Sequence, residues 1–134
     1  MQLFRPVGIN ELRLIAESDF RAFPPRLPQQ PIFYPVLVRE YAVQIARDWN
    51  VLESGQVGFV TRFEIDDPFA SRYPIHVVGD KRHQELWVPA EELAEFNSHI
   101  VGRIEVEAAF TGTGFVGQID PVTNLPVGLL DNRR

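Results

Sequence analysis

The chain contains no cysteine and no long apolar run, and these absences exclude several classes of protein. Without cysteine there is no disulfide framework and no thiolate zinc site. No apolar stretch of 18 residues occurs, and the first residues, MQLFRPVGINELRLIAE, lack the basic and apolar regions of a signal peptide. We therefore expect a cytoplasmic protein with no membrane span.

The chain also has fewer basic residues than acidic ones. The 13 Lys and Arg residues are outnumbered by 18 Asp and Glu residues, which gives a net charge of −5. Non-specific nucleic-acid binding depends on basic side chains that neutralise phosphates, so we do not expect it here. A length of 134 residues suits one domain with its own core.

Familiar catalytic and metal-binding motifs are missing as well. The sequence has no Walker phosphate loop and no GxGxxG, and its three histidines lack a metal-ligand spacing such as HExxH, so no metal site is expected. The glycine-rich TGTGFVG at 111–117 could wrap a phosphate, but no helix follows to supply amide donors. We interpret it as part of a flexible tail.

Apolar periodicity predicts a mixture of strands and helices, and therefore an α+β fold. Strands are expected at 3–7, 32–37, 58–65, 75–78, 84–88 and 104–110. Helices are expected at 11–17 with Asn10 as the cap, at 39–49, and in a short segment after Pro89. The apolar stripe of the second helix predicts core packing for Tyr41, Ala42, Ile45, Ala46 and Trp49.

Proline and glycine mark the irregular parts of the chain. Five prolines lie between residues 24 and 35, which predicts a stiff, extended loop. Pro35 places the strand at 32–37 on a sheet edge, because proline has no amide hydrogen to donate. Residues 111–134 are predicted to be an irregular Gly/Pro-rich extension of a single domain at 1–110.

One acidic residue stands where a buried strand is expected. In HQELWVPAEEL, Glu85 directly precedes the apolar Leu86, Trp87 and Val88. Most carboxylates at strand edges are simply solvated. From the residues alone, Glu85 is either such a surface charge or a carboxylate held beside a pocket for chemistry.

Three stretches carry a resemblance to a known family. They are LFRPVG, then FYPVL followed by REYAVQIARDWN, and finally HQELWVPAEELAEFNSHIVGRIEV. Together they resemble ADP-ribosyltransferase-like domains, and more narrowly a group of small bacterial proteins that carry an automatic ADP-ribosylation label. The resemblance spans roughly residues 3–110 and implies split antiparallel β-sheets with two to three helices and NAD as the substrate.

The resemblance also implies roles for individual residues. Arg5 matches a first-strand residue that contacts the dinucleotide, and Phe33 and Tyr34 stand where a segment shapes the nicotinamide pocket. Glu85 matches the glutamate that holds the nicotinamide ribose. Because the proline-rich loop is stiff, it is also expected to hold Arg21 or Arg26 near that pocket at low entropic cost.

The chemistry that Glu85 would perform follows from the bond to be broken. Cleavage between nicotinamide and ribose passes through an oxocarbenium-like transition state, which gains positive charge on the sugar. A fixed carboxylate facing that charge stabilises the transition state more than the ground state.

Two functions therefore remain open. The first is an enzyme that transfers ADP-ribose from NAD or hydrolyses NAD, with a protein, a nucleic acid or a small molecule as the acceptor. The alternative is a non-catalytic module on the same fold that binds a nucleotide or a protein. We expect Arg5, Tyr34 and Glu85 to converge on one cleft if the protein is an enzyme.

Overall fold

Seven strands and four α-helices alternate along residues 1–129, the part of the chain that the computed structural model describes. The strands are β1 Gln2–Gly8, β2 Ile32–Phe33, β3 Val57–Glu64, β4 Ile75–Val77, β5 Gln84–Leu86, β6 Val88–Pro89 and β7 Glu105–Thr111. The helices are α1 Ile9–Glu17, α2 Arg39–Asp48, α3 Asp67–Ala70 and α4 Leu93–Ser98. The predicted α+β class is confirmed, with one more helix than the two to three expected.

The centre of the fold is an antiparallel sheet in which β3 lies between β1 and β7. Phe59, Thr61 and Phe63 of β3 are buried as predicted, as is Ile65 just after it, and Val60 on the other face of the strand is buried as well. Charged residues on its other face pair with the neighbouring strand, as Arg62 does with Glu107 at 2.8 Å.

Residues 31–37 and 84–90 run antiparallel in a single register. Val36 pairs with Glu85, and Phe33 pairs with Val88 three residues further along each chain. Val36 also pairs with Phe4 of β1 through two backbone hydrogen bonds of 2.8 Å. The segment around Val36 therefore joins β4 and β5 to the central sheet.

The sheet splits beside this junction, and Pro6 accounts for the split. The backbone N–H and C=O of Phe4 point towards Val36, so the corresponding positions of Pro6, two residues later, point to the same side. Pro6 has no N–H to extend the ladder. Residues 32–33 consequently pair with β6 and not with β1.

The prediction that Pro35 places its strand on an edge is wrong. The segment around Val36 lies between β1 and β5, and Pro6 of β1, which has no N–H, limits its pairing with β1 to one bridge at Val36. The carbonyl of Pro35 still accepts a hydrogen bond of 2.9 Å from the amide of Leu86.

Each face of the sheet packs against its own helix. α1 covers one face, where Leu12 and Ile15 join Leu3 and Val7 in the main core. α2 covers the opposite face, where a smaller cluster forms from Phe4, Val36, Ala42, Ala46 and Val60. Two side chains facing one another in an antiparallel pair share a face, so this second face also carries Glu85.

Some local predictions differ from the structure. Trp49 is 65% exposed and does not join the core, because α2 ends at Asp48 and turns into a 3-10 helix at Asn50–Leu52. Asn10 lies inside α1, whose N-cap is Gly8. None of the helices within residues 1–129 has the length and apolar character needed to cross a membrane.

The C-terminal extension is irregular but packed. β7 includes Thr111, and a single bridge between Ile119 and Pro126 holds the turns that follow. Four apolar side chains of this segment contact the main core: Phe115, Ile119, Leu125 and Leu129. The rest of the extension predicted at 111–134 lies outside the described residues.

Candidate functional site

Arg5 projects from β1 towards α1 and is held by a carboxylate. Its Nε and Nη2 atoms donate to the two carboxylate oxygens of Glu11 at 2.7 and 2.9 Å. Its Nη1 lies 3.5 Å from the carbonyl oxygen of Tyr34, at the point where the sheet splits. Arg5 is 9% exposed, so this bidentate pair is shielded from solvent and fixes the guanidinium plane.

Arg26 reaches the same place from the proline-rich loop. The guanidinium carbons of Arg5 and Arg26 lie 4.6 and 5.9 Å from the centre of the Phe33 ring. Burial lowers the pKa of Arg26, and the positive charge of Arg5 lowers it further. Its Nε is buried and has no acceptor among residues 1–129. Glu11 pairs with the Arg5 guanidinium, whereas Arg26 keeps a buried N–H without an acceptor among residues 1–129.

These residues line a cleft of about 580 Å³ between the start of α1, the proline-rich loop and the 3-10 helix after α2. Arg5, Glu11, Arg26, Asn50 and Glu53 contribute its polar groups. Buried polar groups normally have partners, and a buried guanidinium N–H is best satisfied by an anionic oxygen. The cleft is therefore suited to a ligand with a phosphate or carboxylate group.

Glu85 lies on the other face of the sheet and is only 8% exposed. The hydroxyl of Tyr41 donates to its Oε2 at 3.1 Å, and the indole N–H of Trp87 donates to its Oε1 at 2.8 Å. Burial and the Glu85 carboxylate raise the pKa of Tyr41 to about 12, so its hydroxyl remains a donor at neutral pH. Glu85 is thus a buried carboxylate fixed by two neutral donors.

Stacked rings flank this carboxylate on both sides. The rings of His76 and Trp87 are 3.7 Å apart and nearly parallel, at 4°. Those of Tyr41 and His83 are 4.2 Å apart, at 15°. The ring of Tyr34 meets Trp87 edge to face at 6.3 Å. The rings of His76, His83 and Tyr34 therefore pack against the two donors to Glu85, and Trp87 is 42% exposed.

The structure brings together three of the five residues that the sequence predicted. Arg5, Arg26 and Phe33 form one group, whereas Glu85 lies on the opposite face of the sheet. Phe4, Val36 and Glu85 stand in one row across three adjacent strands, and Arg5, next to Phe4, points the other way. Arg5, Tyr34 and Glu85 thus do not meet in one cleft.

Tyr34 connects the two groups at the split. Its carbonyl oxygen faces Arg5, and its ring contacts Trp87, which binds Glu85. Phe33, its neighbour, is fully buried under the arginines and packs against Phe23 and Phe96. The Phe33–Tyr34 segment therefore contacts both candidate groups, with adjacent side chains on opposite faces.

Sequence reasoning missed four residues of these two groups. Glu11 pairs with Arg5, Asn50 lines the cleft, and Tyr41 and Trp87 bind Glu85. A weak signal was present for Tyr41, since its hydroxyl needs a partner if the residue packs on the sheet. Glu11 gave none, because its partner Arg5 lies on another element, and the sequence around Asn50 does not show that it lines a cleft.

The described residues offer no metal centre, because residues 1–129 hold no group of three His, Asp or Glu side chains placed to bind an ion. Comparisons with family models, with curated proteins and with solved structures find no match to this chain.

Proposed function

We propose that this chain is an ADP-ribosyltransferase-like domain that binds NAD or a related dinucleotide, with the pyrophosphate beside Arg5 and Arg26. The observation that carries the proposal is the buried Nε of Arg26, which has no acceptor in the described part of the chain. A phosphate oxygen satisfies this donor and forms a charge-assisted hydrogen bond with the Arg26 guanidinium. Inorganic anions share this chemistry, so the test must include them.

The arrangement of the strands supports the ADP-ribosyltransferase-like part of the proposal. The segments bearing Arg5, Tyr34 and Glu85 are far apart in sequence but form three neighbouring strands. The sheet splits beside the middle one, between β1 and β2. A split antiparallel sheet is the layout that the resemblance implies.

In this proposal, Glu85 stabilises the transition state of the cleavage step. A carboxylate has about four acceptor positions, and Tyr41 and Trp87 occupy two of them. The others are available for a ribose hydroxyl, and the negative charge stabilises the oxocarbenium-like transition state. A dinucleotide that reaches Glu85 from the Arg26 cleft must cross the split beside Tyr34.

A second candidate function is nucleotide binding without cleavage. The position of Glu85 on the face opposite Arg5 favours it, because a ligand seated in the cleft does not meet the carboxylate directly. On this alternative, Glu85 has the structural role of anchoring Tyr41 and Trp87.

Calorimetric titration with NAD, together with an assay of nicotinamide release, separates these functions. The wild type should bind NAD more tightly than pyrophosphate. Arg26→Gln should weaken NAD binding by roughly 10- to 100-fold, the cost of one charge-assisted hydrogen bond. Arg21→Gln is the matched control, because Arg21 is exposed and does not line the cleft.

The outcomes differ clearly. NAD binding with nicotinamide release supports the enzyme, and binding without release supports the non-catalytic module. If NAD does not bind, or if Arg26→Gln and Arg21→Gln bind it as well as the wild type does, the cleft is not a dinucleotide site.

A further inference from the structure

Asn50 is a second buried polar residue of the cleft with an unused hydrogen-bonding atom. It is 9% exposed, and its side-chain oxygen Oδ1 is buried without a donor among residues 1–129. It lies in the 3-10 helix that follows α2 and lines the same cleft as the proline-rich loop. A buried amide oxygen without a partner is costly, so its persistence calls for a partner that arrives from outside.

The backbone around Asn50 fixes its position closely. Gly58 of β3 packs against this turn, and a Cβ atom at position 58 would lie 2.8 Å from Cβ of Asn50 and 2.3 Å from the carbonyl oxygen of Ala46. The amide of Glu53 donates to the carbonyl of Asn50 at 3.0 Å, which closes the turn. The side chain of Asn50 is thus attached to a rigid turn.

The two buried atoms of the cleft that lack hydrogen-bond partners among residues 1–129 require different groups on a ligand. Nε of Arg26 is a donor and needs an anionic oxygen, whereas Oδ1 of Asn50 is an acceptor and needs an O–H or N–H. A phosphate group that is esterified on both sides is fully ionised at neutral pH and supplies only the first. A ligand that satisfies both carries a hydroxyl as well as such a phosphate, as a dinucleotide does through its ribose.

We infer that Asn50 is a specificity-determining residue that accepts a hydrogen bond from a ribose hydroxyl of the bound nucleotide. This inference rests on the proposed function, because it needs the phosphate beside Arg26. It adds that the cleft distinguishes a nucleotide from its deoxygenated analogue and from pyrophosphate. Removing the acceptor from Asn50 should remove that distinction and leave phosphate binding in place.

A cycle of two ligands and two proteins tests the inference. The ligands are ADP and 2′,3′-dideoxy-ADP, and the proteins are the wild type and Asn50→Leu, which keeps the branched shape without the acceptor. The wild type should bind ADP roughly tenfold more tightly than the dideoxy compound, as expected for one hydrogen bond to a buried acceptor. Asn50→Leu should bind both equally, with its affinity for the dideoxy compound close to that of the wild type.

Controls separate ligand recognition from structure. Because Oδ1 has no partner in the free protein, Asn50→Leu should melt at or above the wild-type temperature. Asn10→Leu changes an exposed asparagine of the same cleft and should keep the preference for ADP.

Two results would overturn this inference and leave the proposed function standing. One is a wild type that binds ADP and its dideoxy analogue equally, and the other is an unchanged preference for ADP in Asn50→Leu. A lower melting temperature of Asn50→Leu with equal losses for both ligands also overturns it, since Asn50 would then support the fold. If the wild type binds neither ADP nor pyrophosphate, the proposed function fails with it.

Discussion

The indole N–H of Trp87 donates a 2.8 Å hydrogen bond to the carboxylate of Glu85, two residues earlier on the same face of the strand. The ring of His76 stacks on the indole of Trp87, with the ring centres 3.7 Å apart. Trp87 is therefore held in place by a ring and in turn holds the carboxylate. Glu85 has a fixed orientation even without a ligand.

Trp87→Phe should destabilise the protein, because it keeps an aromatic ring against His76 but removes a donor from a buried carboxylate. We expect a loss of about 1 to 3 kcal/mol in the free energy of unfolding, measured by urea denaturation. Trp49→Phe is the matched control, since Trp49 is 65% exposed and should change stability by less than about 0.5 kcal/mol. Equal effects of the two changes would show that the bond to Glu85 contributes nothing to stability.

Tyr41 gives a prediction about alkaline pH. Its usual pKa is near 10, and burial and the Glu85 carboxylate raise the pKa in the folded protein to about 12. The folded state therefore holds this proton more tightly than the unfolded state does, and stability falls as pH rises from about 10 towards 12. A difference absorbance titration of the wild type against Tyr41→Phe should give a midpoint well above 10. A midpoint near 10 would mean that the hydroxyl is free of Glu85.

Gly58→Ala should be strongly destabilising. The added Cβ would lie 2.3 Å from the carbonyl oxygen of Ala46, and both groups belong to backbone that cannot move independently. We expect a loss of about 2 kcal/mol or more, read from thermal unfolding. Gly8→Ala is the control, because its added Cβ meets only Glu53, at an ordinary 3.6 Å. A Gly58→Ala protein as stable as Gly8→Ala would contradict the close packing of α2 on β3.

Glu85→Gln tests the cleavage step. The amide keeps one oxygen for the indole of Trp87, and the hydroxyl of Tyr41 can rotate to accept from the amide nitrogen. Stability should therefore change little, while loss of the charge should lower nicotinamide release by about 10²- to 10³-fold at an unchanged NAD affinity. A variant that releases nicotinamide at the wild-type rate removes Glu85 from catalysis.

The sequence alone was sufficient to predict the elements in which the pattern of apolar residues is local. The alternation around Phe59, Thr61 and Phe63 predicted β3 correctly, because one side of that strand faces a continuous core. The position of Pro35 inside the sheet was not predictable in the same way. The missing donor of proline was recognised, but a bridge at Val36 is enough to keep the segment between two strands.

The candidate site could be predicted only in part for a related reason. Arg5 was identified through the family resemblance, and loop stiffness pointed to Arg21 or Arg26; of these, Arg5 and Arg26 meet over Phe33. The face of the sheet on which Glu85 lies depends on the pairing of Phe4 with Val36 and of Val36 with Glu85. A shift of one residue in either pairing would move Glu85 to the other face. That register is a property of the assembled sheet and has no local signature.

One ¹⁵N NMR titration with NAD tests the central claim most directly, because two side-chain N–H groups report separately on the two faces of the sheet. Nε–H of Arg26 lies in the cleft without an acceptor, and Nε1–H of Trp87 donates to Glu85. The account predicts a large downfield shift of the Arg26 signal as it gains a phosphate acceptor. A Trp87 shift at the same NAD concentrations is expected if the dinucleotide reaches Glu85. An Arg26 signal that stays unchanged at saturating NAD would contradict the proposed cleft.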